Sequence, residues 1–209
     1  MKGFTTNPSL MRKAGAKNYI SYSKKILSIC QKKPVSLEVF ADDLKNIKKQ
    51  AFILNDLGKN VFVKIPVVNS KGIFLGKIIK ELNKEKIKLN ITAVYSVSQT
   101  KKILSCIENS TPVIISIFAG RMADVGKDPI PIFKKSLRLS KKFKNVSILW
   151  ASTREPYNFT QASQLGCNII TVPPSIIKKI ENFGSSFNEL TSDTVKTFLR
   201  DAEKSKFKI

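Results

Sequence analysis

Asn60-Val61-Phe62-Val63-Lys64-Ile65-Pro66-Val67 reads as one short strand, apolar almost without interruption and so buried on both faces, with one ammonium in its middle. An ammonium is expensive to bury, and a strand lysine flanked by apolar residues on both sides is a candidate amine nucleophile. The chain has 37 Lys and Arg residues, so a lysine by itself says nothing; the flanks carry the argument. The competing account is an edge-strand lysine that discourages aggregation.

Strand-like runs of the same kind recur along the chain at 3–7, 35–40, 60–67, 88–95, 113–120, 147–152 and 169–173. Between them, segments such as 43–57, 72–83, 130–143 and 191–204 carry helical spacing of apolar residues. Seven parallel strands alternating with helices predict an α/β fold, either a TIM-type (β/α) barrel or a doubly wound open sheet. No Gly-x-Gly-x-x-Gly or P-loop pattern follows any strand, which removes the nucleotide fingerprint of the open sheet. Polar residues instead stand at or near the ends of the strands: Asn7, Glu38, Lys64, Asn90 with Thr92, Ser116, and Ser152 with Arg154. Catalytic side chains of a β/α barrel come from those ends, and residues two apart in a strand face the same side. The barrel is the expected fold, as a single domain over 1–209 that ends in a helix at about 191–207.

Composition narrows the chemistry. The chain has no histidine, which excludes Ser-His and Cys-His nucleophile pairs and leaves too few soft ligands for zinc. No metal and no cofactor is expected. Cys30, Cys106 and Cys167 are far apart and lie beside apolar residues, as reduced core thiols would. The net charge of +22 invites a nucleic-acid reading, but the lysines are spread over every expected helix, as on a solvated surface. The same positive field would draw in a small sugar phosphate. The apolar runs are far shorter than the ~20 residues needed to cross a bilayer, and the N-terminus has no signal pattern. A soluble, cytoplasmic protein is expected.

The strand-end residues assemble into a mechanism. An amine attacks a ketone only when neutral, and apolar surroundings favour the neutral form. The iminium that follows is an electron sink through which a carbon–carbon bond of a keto sugar can break. Glu38, in an otherwise apolar strand, is placed to handle the water lost and regained, with a buried ion pair or a helix cap as its alternative. Thr92 is a hydroxyl that could hold that water. Asn7 and Asn90 could bind sugar hydroxyls, although Asn7 could equally close a strand before a helix that begins at Pro8. Arg121 and Arg154 offer planar forks for a phosphate, with Ser152 as a further donor; ion pairs to Asp124 or Glu155 are the competing account.

Taken together, Thr5-Thr6-Asn7-Pro8-Ser9-Leu10, Val63-Lys64-Ile65-Pro66, Leu89-Asn90-Ile91-Thr92-Ala93, Ser116-Ile117-Phe118-Ala119-Gly120-Arg121, Ala151-Ser152-Thr153-Arg154 and Ile170-Thr171-Val172-Pro173 resemble the transaldolase family, which includes the fructose-6-phosphate aldolases. The likeness is collinear from residue 3 to about 179. It implies that Lys64 is the Schiff-base lysine and that Glu38 and Thr92 hold the catalytic water. Asn7, Asn90 and Ser116 match sugar-contacting positions, and Arg121, Ser152 and Arg154 match the phosphate site. Phe118 and Glu38 follow the transaldolase pattern where the aldolase branch usually has tyrosine and glutamine. The implied activity is transfer of a dihydroxyacetone unit between ketose and aldose phosphates, of pentose phosphate type. The alternatives are an aldolase-type lyase or a catalytically impaired sugar-phosphate binder. The family's first strand carries an aspartate, and this chain begins at what looks like the second strand. A gap between 3–7 and 169–173 is therefore expected, with imine formation surviving better than turnover. The family's C-terminal helix often packs on a neighbouring subunit, which leaves a homo-oligomer open.

Overall fold

The computed structural model describes residues 1–108 and 110–206. They fall into two units, the first being Met1–Val172 and the second beginning at Pro173. Along the first unit run β1 (Phe4–Thr5), α1 (Pro8–Lys13), α2 (Tyr19–Cys30), β2 (Val35–Glu38), α3 (Leu44–Asn55), β3 (Val61–Pro66) and α4 (Gly76–Lys84). They are followed by β4 (Leu89–Val94), α5 (Val97–Leu104), β5 (Val113–Phe118), α6 (Ala119–Ala123), α7 (Ile130–Ser140), β6 (Val146–Ala151), α8 (Tyr157–Gln164) and β7 (Ile169–Ile170).

All seven expected strands form, all neighbours are parallel, and their order in the sheet is their order in the chain. A doubly wound sheet would reverse direction at a switch point; unbroken sequential order with intervening helices is the winding of a TIM-type barrel. The α/β barrel-type fold is therefore established, as a curled sheet of seven parallel strands.

Strand alternation sorts the residues. Val61, Val63, Ile65 and Val67 are at most 1% exposed and join the large cluster shared with the helices, to which Val35, Leu37, Leu89, Ile91, Val113 and Ile115 also belong. Trp150 stacks on Phe133 of α7 at 4.5 Å and 25° in the same layer. A second small cluster, Ile114, Leu149 and Ala151 with Phe62, Phe118 and Ile169, comes from the alternate positions and lines the inner face. Lys64, two residues beyond Phe62, thus faces inward above an apolar floor.

Local chemistry moves several boundaries. The expected helix at 72–83 starts only at Gly76, because Asn69 Oδ1 accepts from the Lys71 and Ile73 amides and Gly72 takes φ +76. That side-chain turn competes with helix and closes a small Val68–Phe74 antiparallel bridge. β6 ends at Ala151, and Ser152 adopts a left-handed φ of +63. The two-residue alternation expected to align Ser152 with Arg154 therefore stops one residue short. In β4 a register shift between Ile91 and Val94, with Ala93 at φ +58, forms a bulge next to Thr92. Cys30 is buried, whereas Cys106 and Cys167 are only partly so.

The first and last strands meet. The Thr5 and Thr171 hydroxyls are 2.8 Å apart, while Thr153 Oγ1 donates to the Thr171 carbonyl at 2.7 Å. Edges flanking an absent strand would stand ~10 Å apart, twice the normal strand spacing. The expected gap is thus bridged by side chains, without a backbone ladder between these strands.

The second unit contains α9 (Pro174–Ile180) and α10 (Phe187–Ser205). The C-terminal helix starts earlier than the expected 191, because Ser186 and Glu189 form a reciprocal capping box; residue 207 lies outside the described residues. Among those residues no helix is long and apolar enough to cross a membrane.

Candidate active site

Three adjacent strands deliver the central groups. The β2, β3 and β4 registers place Glu38 opposite Lys64 and Lys64 opposite Asn90, so three polar side chains share one rung on the inner face. Lys64, 8% exposed, extends its Nζ to 3.1 Å from Glu38 Oε2 and 3.4 Å from the Thr6 carbonyl. Both partners of the ion pair are mostly buried, with side-chain exposures of 11% and 19%. At this separation a proton can pass directly between the Lys64 nitrogen and the Glu38 carboxyl.

Next to the pair runs a buried hydrogen-bond chain. Ser116 Oγ donates to Asn90 Oδ1 at 2.7 Å, and Asn90 Nδ2 donates to Ser36 Oγ at 3.0 Å. Thr92, one position further up β4 on the same side, is 2% exposed, and its hydroxyl has no hydrogen-bond partner among the described residues. A buried hydroxyl without a partner costs about 1–3 kcal/mol, so this one is set to meet a water or a substrate atom.

Phe118 packs edge to face with Tyr95 at 5.8 Å, and the Arg121 guanidinium lies 5.9 Å above the Phe118 ring. Arg154 points to Asp124 instead of outward. Its Nε and Nη2 reach the carboxylate at 3.1 and 2.6 Å. The guanidinium holds the Asp124 carboxyl below its usual range, chiefly by hydrogen bonding, and is itself pushed up by the same bond. An ion pair does form, but not between the local neighbours weighed from the sequence: Arg154 takes Asp124, the acid next to Arg121, whereas its own neighbour Glu155 lies beside Asn158. What joins the Arg121 loop to Ser152 and Arg154 is Gly120. A Cβ there would overlap the Ser152 carbonyl and come within 2.7 Å of Arg154 Cγ, so only glycine allows α6 to sit on the end of β6.

Asn7 Oδ1 accepts from the Leu10 amide at 2.8 Å and caps α1, whose first residue is Pro8. The capping account holds for that oxygen, and Asn7 keeps its amide nitrogen for other use. The structure thus draws Lys64, Glu38, Thr92, Asn90 and Ser116 together on the inner face. Phe118, Arg121, Ser152 and Arg154 lie at the ends of β5 and β6. Strand-end reading missed Ser36, although it stands two residues before Glu38 on the same face. It also missed Tyr19 and Thr6, which no strand pattern reveals. Among the described residues no cluster of three metal-ligating side chains occurs.

Residues 1–209 match the sequence profile of the family described as transaldolase/fructose-6-phosphate aldolase. The chain belongs to this family. Relatives named "probable transaldolase" include a protein of Methanococcus vannielii, 32% identical over 200 residues that cover 95% of this chain and 86% of the relative. One from Thermoanaerobacter sp. strain X514 is 31% identical over 210 residues, covering 100% of this chain and 90% of its own length. One from Dehalococcoides mccartyi is 31% identical over 202 residues, covering 96% and 88%. In this transaldolase-family chain the inner-face polar groups all come from strands that the fold winds in sequence, so the site is a product of register more than of loop shape.

Proposed function

We propose that the chain is a Schiff-base transaldolase that moves a dihydroxyacetone unit from a ketose phosphate to an aldose phosphate, in cytoplasmic carbohydrate metabolism of the pentose phosphate type. The observation that carries this reading is the Lys64 amine, held on the inner face 3.1 Å from a carboxylate and below an unpartnered threonine hydroxyl. Glu38 takes the ammonium proton and the free amine adds to the ketone at C2. The carbinolamine oxygen then leaves as water with a proton returned by Glu38, and Thr92 holds that water. With the iminium as electron sink the C3–C4 bond breaks, the hydroxyl proton at C4 passes through the water held by Thr92 to the Glu38 carboxylate, and the aldehyde departs. The remaining enamine attacks the incoming aldehyde, and water regenerates the amine. Asn90 and Ser116 contact sugar hydroxyls, with Asn7 beside them. Arg121, Ser152 and Arg154 take the phosphate once Arg154 leaves Asp124.

Transfer is favoured over simple cleavage because Phe118 has no proton to give the enamine, which therefore lives long enough to meet an aldehyde. A second reading, a fructose-6-phosphate aldolase, is favoured by one observation: Tyr95 brings a phenol to the edge of the Phe118 ring. Incubation with fructose 6-phosphate and borohydride, followed by peptide mass analysis, is expected to place a reduced adduct on Lys64. An adduct elsewhere, or none, rejects the Schiff-base reading. Product analysis then separates the two reactions: free dihydroxyacetone indicates the aldolase, and a new ketose formed only with an acceptor aldehyde indicates transfer.

A further inference from the structure

Tyr19, the first residue of α2, points its hydroxyl at the main chain of Glu38. The hydroxyl accepts from the Glu38 amide at 2.9 Å and donates to the Glu38 carbonyl at 2.9 Å. Asn18 fixes the start of this helix, its side chain accepting from the Ser21 amide at 2.9 Å. Phe40 holds the ring edge to face at 5.3 Å.

The reason a side chain is needed there lies in β1, which pairs with β2 only at Phe4–Val35 and Thr5–Ser36. The next bond, Thr6 N to Ser36 O at 3.1 Å, still forms. Even spacing of a parallel ladder would then carry the Glu38 N–H to the Thr6 carbonyl. It goes to Tyr19 instead, and the Thr6 carbonyl faces Lys64 Nζ at 3.4 Å.

We propose that Tyr19 is a positioning residue for the reacting amine: by standing in for the next rung of the ladder, its hydroxyl fixes Glu38 and leaves the Thr6 carbonyl to Lys64. The inference rests on the Schiff-base reading of Lys64. A neutral phenol is required, since only the neutral group can donate and accept at once. Burial, with the Glu38 charge adding to it against the backbone hydrogen bond, pushes this phenol up to about 12. In Tyr19→Phe the Glu38 amide would turn to the Thr6 carbonyl, the acceptor that ladder spacing assigns to it, and Lys64 would lose a partner.

The test is the rate of borohydride-trapped adduct formation at Lys64 with fructose 6-phosphate, in wild type, Tyr19→Phe, Glu38→Gln and the double variant. Tyr19→Phe is expected to slow trapping roughly 10- to 100-fold, the scale of a small misplacement of a reacting group, with KM little changed. In the Glu38→Gln background the same change is expected to cost clearly less than in the wild type, because the hydroxyl's effect through the Glu38 carboxylate is already lost and only its effect through the Thr6 carbonyl remains; fully additive losses overturn the inference. A wild-type protein with no Lys64 adduct sinks both readings, whereas a wild-type adduct and an unchanged Tyr19→Phe rate sink this inference alone. Hydrogen exchange of the Glu38 amide in the wild type needs no variant: slow exchange supports the bond to Tyr19, and unprotected exchange overturns it.

Discussion

Gly120 and Ser152 stand so close that the first residue has no room for a methyl group against the carbonyl of the second. This contact fixes how α6, with Arg121, sits against the end of β6, with Ser152 and Arg154, and so the shape of the proposed phosphate end of the site.

Gly120→Ala is expected to force the β6 end outward. Overpacking of this kind typically costs 1–3 kcal/mol, and the obstacle is backbone, which cannot rotate away. The melting temperature should fall and KM for phosphorylated sugars should rise more than kcat falls. Calorimetry with steady-state kinetics on phosphorylated and unphosphorylated ketoses reads this; an equal effect on both sugar classes contradicts it.

Thr92→Val is expected to stabilise the protein while impairing it. Removing a buried hydroxyl that has no protein partner recovers part of the ~1–3 kcal/mol that desolvation costs. Loss of the group proposed to hold the catalytic water should lower kcat roughly 10²-fold, the low end for general acid-base effects. Chemical denaturation and kinetics on the same sample check both, and a less stable variant means that the hydroxyl is already satisfied.

The Lys64–Glu38 pair should behave as a functional rather than a stabilising feature. Lys64→Met alone leaves a mostly buried carboxylate and is expected to cost roughly 3 kcal/mol, the low end for a broken buried pair. Lys64→Met with Glu38→Leu is expected to regain that loss and reach or pass wild-type stability, again with no adduct. A double variant as unstable as the single one would show that the pair holds the sheet together.

These outcomes mark what the sequence could reveal. The strand order and inner face were readable because parallel strands need unbroken apolar runs, so a lysine or glutamate within one stands out. Lys64, Glu38, Asn90 and Thr92 were found in that way. Tyr19 was not, because it sits on a helix and acts on the backbone of a residue 19 positions away. Ion pairing could be named as a rival to phosphate binding only between sequence neighbours; the pair that forms joins Arg154 to Asp124, 30 positions away, which spacing along the chain does not reveal. The end of β6 was placed one residue late because nothing in Ala151-Ser152-Thr153 signals a left-handed turn.

Alkaline titration should single out Tyr19. An ordinary phenol ionises near ~10, whereas this one is held up to about 12. Since the folded value lies above the unfolded one, the stability it contributes is complete below pH ~10 and is lost as pH rises through about 12. Phenolate absorbance is expected to show one late step that Tyr19→Phe abolishes, and a late step that persists in the variant contradicts the assignment.

Asp124→Asn should release the Arg154 fork. The pair is about half exposed and adds little to stability. KM for phosphorylated sugars is expected to fall about two- to fivefold, the range set by a surface ion pair, with the melting temperature nearly unchanged. Since the Asp124 carboxyl lies below its usual range, its clamp on Arg154 is in place above the ordinary carboxylate value and weakens only as pH falls through its lowered one. Phosphate affinity that is unaltered in the variant would show that Arg154 takes no part.

The hydroxyl contact between Thr5 and Thr171 works as a clasp on the curled sheet. On one side of it the chain continues directly into the Thr6 carbonyl that faces the amine; on the other, Thr171 also receives the Thr153 hydroxyl next to the Arg154 fork. Parting that contact is expected to loosen the Lys64 end and the Arg154 end of the proposed sugar site together, so that one break would be felt by both.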